Sequence, residues 1–198
     1  MRTLSIAVAL VATFLFSSPA WASLPYYNAD MGYTIWLPKS WNEASQDSLD
    51  AFQQALGPWP VPGMTPHWQA GYVNPHGERT CRLLVEVKPG RRMLDSDISN
   101  FNRFMVRSLI RSLRERVPLP GDPVTVFKDA AYFHDKKTLR IETEVVRGGE
   151  TVLGLAYIVY TRKGMLAFTA FVDPADRKSL QIVDKAVLSL YLDDRLRY

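Results

Sequence analysis

Two stretches near the C-terminus constrain the fold more than any other part of the chain. "TVLGLAYIVY", from Thr151 to Tyr160, and "MLAFTAFV", from Met165 to Val172, are apolar on both alternating faces. A strand of that kind needs cover on both sides of its sheet, so these two belong at the sheet's centre. The short connection through Lys163-Gly164 predicts an antiparallel hairpin. "TLRIETEVVR", from Thr138 to Arg147, behaves differently. It alternates Leu139, Ile141, Thr143 and Val145 against Arg140, Glu142 and Glu144, the pattern of a strand with one wet face, and Gly148-Gly149 turns it toward the next strand.

The rest of the chain supplies the layers that such a sheet requires. A first strand is expected over Tyr33–Leu37, closed by Pro38, and a helix carries Leu49, Phe52 and Leu56 before the stop signal Gly57-Pro58. Strands follow around Trp68–Val73 and Thr80–Val87, then a long helix from about Ser96 to Arg116, then a strand near Val124–Phe127. Asp173 as N-cap and Pro174 at the first helical position announce a closing helix, whose Leu180, Val183, Val187 and Leu190 form one apolar stripe. The expected fold is a single α+β domain: an antiparallel meander sheet packed against helices.

The N-terminus reads as a targeting segment. Met1-Arg2 precedes an apolar run, Leu4 to Phe16, followed by Ser17-Ser18-Pro19 and the small-x-small triplet Ala20-Trp21-Ala22. That is the layout of a secretory signal peptide, residues 1–22, cleaved near Ala22 to leave the domain at residues 23–198. The run is shorter than the roughly 18 residues of a spanning helix, and nothing later in the chain is long and apolar enough to be one. A periplasmic or secreted location follows as the expectation. The only cysteine, Cys81, cannot make an internal disulfide. It shares a strand face with Leu83, Val85 and Val87, which predicts a buried thiol; an intermolecular bond or a nucleophile would require exposure.

Candidate catalytic groups do not assemble in the sequence. His67, His76 and His134 form no His-x-x-x-His or His-x-His pair, and there is no Gly-x-Ser-x-Gly elbow, phosphate-cradling loop or dinucleotide fingerprint. No metal or cofactor is expected. Glu142 and Glu144 share a strand face as paired acids might, but Arg140 beside them favours ion pairing.

Two features suggest binding. The connector holds Trp59, Met64 and Trp68 among Pro58, Pro60, Pro62 and Pro66, which stiffen the backbone and could present a recognition loop, or fold back as a lid over the core. The long helix places Arg103, Arg107, Arg111 and Arg114 within an arc of about 80°, opposite Ile98, Phe101, Met105, Leu109 and Leu113. Between Arg91 and Arg116 there are seven arginines against three acids, a local excess equal to the formal net charge of +4 for the whole chain. The basicity is therefore local, which does not suit a nucleic-acid binder.

An opening "GYTIWLPKSW" strand (Gly-Tyr-x-Ile-x-x-Pro-x-x-Trp), a long middle helix, a run of hairpins and a last helix ending "IVDKAVLSLYL" together resemble the PsbP-like superfamily, from about Tyr26 to Leu192. That group includes the PsbP subunit of photosystem II and small periplasmic domains of bacteria. The resemblance implies a binding or accessory role without enzymatic activity, and it carries over no ligand or catalytic residue. Trp36, Pro38 and Trp41 then read as packing at the sheet edge. The sequence thus points to a secreted or periplasmic accessory protein whose arginine-rich helix meets an envelope protein or an anionic membrane surface. Two alternatives stand beside it: a small-ligand carrier using the aromatic connector, and a hydrolase or metal-dependent enzyme with its site around residues 67–79.

Overall fold

In the computed structural model, which describes residues 23–56, 66–75, 81–117 and 122–198, the two apolar strands occupy the place their pattern demands. They are β8 (Glu150–Thr161) and β9 (Gly164–Val172), paired antiparallel with Leu155 opposite Ala170 and Tyr157 opposite Phe168. Around them a seven-stranded sheet assembles from β3 (Asn42–Glu43), β4 (Ala70–Asn74), β5 (Cys81–Pro89), β6 (Val124–Phe133) and β7 (Thr138–Arg147). Its order is β3-β4-β5-β9-β8-β7-β6, and every neighbouring pair is antiparallel.

Alternate residues of β8 point into different layers, as the period of two requires. Tyr160, Ala156 and Ile158 pack beneath α2 (Asp95–Glu115), with Ile98, Phe101, Met105 and Leu109 of that helix. Leu155, Tyr157 and Val159 pack on the other side with Val183, Ala186 and Val187 of α3 (Arg177–Leu188). Further along the α2 side, α1 (Gln46–Leu56) lays Leu49 over Leu84 and Trp68. Each fully buried large side chain in these clusters stabilises the fold by roughly 1.5–3 kcal/mol.

The expected single sheet is in fact two. The "YTIWLP" strand is β2 (Tyr33–Pro38), and it forms the middle of a separate three-stranded sheet between β1 (Ser23–Asn28) and β10 (Tyr191–Leu192). Tyr33, Ile35 and Leu37 are fully buried and face the core, so the same register turns Trp36 outward. Trp36 and Trp41 therefore do different things: Trp36 is 38% exposed, whereas Trp41 is a core residue.

Two further expectations are corrected in detail. The start of α3 is capped by Asp176, which accepts from the Ser179 backbone N–H at 2.9 Å. Asp173 instead closes the turn before it by accepting from Ala175 N–H. The face of β7 bearing Arg140 and Glu142 is also drier than its alternation suggests. Here α3 crosses it, and Arg140 Nε donates to Asp184 Oδ1 at 2.7 Å while Arg140 Nη2 donates to Glu142 Oε2 at 2.9 Å.

Candidate functional site

The arginine stripe is a consequence of how α2 is fastened. Ile98 is fully buried, Phe101 meets Tyr160 edge to face with ring centroids 6.5 Å apart, and the buried Asn102 accepts a hydrogen bond from the Tyr160 hydroxyl. These contacts fix the rotation of the helix about its axis. The opposite face, with Arg103, Arg107, Arg111 and Arg114, is left exposed. The stripe runs about 16 Å along the helix at 1.5 Å per residue. Phe104, 65% exposed, stands at its flank.

Among the described residues none of the four arginines makes an ion pair, although Glu115 lies four residues beyond Arg111. Other cations nearby are engaged: Arg116 with Asp122 at 2.9 Å, Lys137 with Asp95 at 2.9 Å, Arg92 over the Tyr198 ring at 4.6 Å. A guanidinium with no internal acceptor keeps its planar donor fork free for a carboxylate or phosphate from outside.

The connector residues fare differently. Trp68 is 2% exposed and belongs to the core under α1, with Leu49 and Leu84, so it is not presented by a recognition loop. Its large apolar ring gains more by burial than by exposure. Trp59 and Met64 lie outside the described residues.

No family model and no curated protein matches the sequence. Among solved structures, the chain is similar to the solution structure of cyanobacterial PsbP (CyanoP) from Synechocystis sp. PCC 6803. The two are 12% identical, the match covers 89% of this chain and 95% of that one, and the TM-score is 0.54. The fold is PsbP-like. At that identity the likeness speaks for architecture alone.

Of the histidines behind the enzymatic alternative, two lie among the described residues of this PsbP-like domain. His67 is exposed and uses its backbone N–H on Glu86 Oε1, while His134 is exposed with its ring edge on Tyr132. His76 lies outside the described residues, and among those described no group of three His, Cys, Asp or Glu side chains could hold a metal. Glu144 pairs with Lys128 at 3.2 Å and Glu142 with Arg140, so the two acids are used as cross-strand and same-strand ion pairs. Of two depressions, one of about 230 Å3 is smaller than the roughly 300–1,000 Å3 typical of small-molecule sites, and the other, about 320 Å3, falls at the lower end of that range.

Cys81 is 3% exposed, on the same core face as Leu83 and Val85. Burial, with the Asp176 carboxylate adding to it, pushes the thiol up to about 12. The reactive thiolate is therefore doubly suppressed, by access and by ionisation. Labelling of the native protein by an aromatic disulfide reagent at pH 8 is expected to run at least about 100-fold slower than after denaturation. Equal rates would show that the thiol is open to solvent.

Proposed function

We propose that this PsbP-like domain is a non-enzymatic accessory protein of the cell envelope that docks onto an acidic protein partner through the outer face of α2. One observation carries the reading: four exposed arginines on a single arc, with no ion-pair partner among the described residues. A face that only kept the helix soluble would gain from acids interleaved at i+4, and like charges at that spacing repel by a few tenths of a kcal/mol. An incoming acidic surface relieves that repulsion as it binds. The signal-like segment at residues 1–22 supports export of the chain and hence a partner in the periplasm or beyond.

The test replaces Arg103, Arg107 and Arg111 together by Gln and compares capture of envelope proteins with that of the wild type. The expected result is salt-sensitive capture of an acidic protein by the wild type, lost in the variant, with the thermal midpoint within about 2 °C because the replaced side chains are exposed. Capture that survives the triple change would sink the proposal. Phosphatidylglycerol vesicles serve as the second arm. Retention on vesicles with no protein captured would assign the stripe to a membrane surface instead.

A further inference from the structure

The layer opposite α2 carries a groove that the arginine stripe does not account for. It lies between β2 and α3 and has a volume of about 320 Å3. Pro38, Ile182 and Ala186 give it an apolar lining, and Trp36, held outward by the register of β2, forms part of its wall. Lys178 and Lys185 line it from the helix, Lys178 within the field of the capping Asp176 carboxylate, and among the described residues no carboxylate is part of the lining. The acid that α3 does carry between these lysines, Asp184, is turned to Arg140 and Tyr157. Apolar surface continues outward from the groove. Pro25 of β1 sits opposite Trp36 in the sheet, and Tyr27, two residues on and on the same face, is 58% exposed.

We infer that the groove between β2 and α3 is a docking site for an extended acidic segment of a partner protein, with an aromatic or proline side chain seated against Trp36 and a carboxylate beside Lys185. Charge fixes the sign of the occupant, since Lys185 lines the site and the acid next to it in sequence, Asp184, is turned away to Arg140 and Tyr157. Size and shape fix its kind. The volume suits one or two side chains, and an open groove cannot enclose most of a free small molecule as dedicated ligand pockets do. A bilayer surface is flat and does not fill a concavity. An extended segment can place one anchor in the groove while its flanks lie on the exposed apolar surface of β1, the arrangement in which tryptophan commonly dominates binding energy. The groove and the α2 stripe are in opposite layers of the domain, so this site goes beyond the docking proposed above and stands or falls separately from it.

The experiment uses a fluorescein-labelled peptide, Asp-Glu-Phe-Pro-Glu-Asp, and its Asn/Gln counterpart, titrated with the folded protein and followed by anisotropy. The acidic peptide is expected to bind about tenfold tighter than the neutral one, with the difference shrinking as salt rises. W36A and the double variant K178Q/K185Q, both altering exposed side chains, are each expected to weaken it about fivefold or more. R103Q/R107Q/R111Q is expected to leave it within about twofold, since distant sites act independently. Equal affinity for both peptides, no binding at all, or binding indifferent to W36A and K178Q/K185Q would overturn the inference. Loss of binding in the α2 triple variant would also overturn it, by placing the peptide on the arginine stripe. Phosphatidylglycerol vesicles that bind through Trp36 when the acidic peptide does not would assign the groove to lipid.

Discussion

Replacing Gly164 by alanine is expected to destabilise the protein by about 3–4 kcal/mol, the sum of a strained backbone conformation, a backbone displacement and a weakened hydrogen bond. Gly164 opens β9 with φ +116, a conformation that side-chain-bearing residues rarely adopt. A Cβ there would stand 2.6 Å from Gly90 N and closer still to Lys88 O. Both are backbone atoms at the end of β5, where Pro89 pairs with Gly164 and Gly90 N–H donates to Lys163 O at 3.0 Å. A flexible side chain could swing away; main chain tied by the last pairing of β5 with β9 cannot. Gly148, in the turn between β7 and β8, is the control. It has φ +60, but a Cβ there would meet nothing within 4 Å, so Gly148→Ala is expected to cost only about 1 kcal/mol. For a domain of this size the difference corresponds to a thermal midpoint lower by roughly 5–10 °C in G164A than in G148A. Equal midpoints would show that β5 and the β8–β9 turn do not meet as described.

Gly164 also shows where sequence reading reaches its limit. Lys163-Gly164 was legible as a turn because a glycine between two apolar runs has that meaning locally. The close passage of β5 was not, because it is set by a strand lying far earlier in the chain. The same division runs through the rest of the fold. The centre of the sheet could be read from β8 and β9, and the arginine stripe from α2, since each pattern is complete within one element. β1 and β10 could not: "SLPYYN" carries a proline tolerated only because β1 is an edge strand, and the two-residue β10 exists only through its pairing with Thr34 and Tyr33. The β2–α3 groove is invisible in sequence for the same reason, its walls coming from residues near 36 and near 182. For Trp68 the sequence left recognition loop and core lid both open, because neighbouring prolines say nothing about whether an indole turns toward solvent or core, and its burial decides for the core.

Removing the Asp184 carboxylate is expected to destabilise the protein by about 2–4 kcal/mol, because it would leave two inward-facing donors without their acceptor. Oδ1 of Asp184 accepts from Arg140 Nε at 2.7 Å and from the Tyr157 hydroxyl at 2.5 Å. Tyr157 is fully buried, and the Arg140 side chain is 11% exposed. Burial, reinforced by the nearby carboxylate, holds the Tyr157 phenol well above its ordinary range, so it remains a donor at any physiological pH. Asp184→Ala thus leaves a guanidinium with Glu142 as its remaining partner and a phenol with none of its former contact. Asp184→Asn keeps an acceptor oxygen but loses the charge, and should fall between the wild type and the alanine variant. The decisive comparison is the double variant R140M/D184L. A desolvated ion pair contributes little net stability over an apolar pair of similar size, whereas half of one is costly, so the double variant is expected to be more stable than D184A by about 1–2 kcal/mol. Urea denaturation of the four proteins measures this directly. If D184A and R140M/D184L unfold together below the wild type, the loss comes from what the two share, the Tyr157 hydroxyl without its acceptor and the disturbed packing of α3, and not from an orphaned charge. The outcome bears on function, because this pair clamps α3 to β7 and β8, and α3 forms one wall of the groove. Loosening the clamp should weaken acidic-peptide binding in D184A and restore it in part in R140M/D184L, while capture through the α2 stripe, fastened separately by Asn102 and Phe101, stays unchanged.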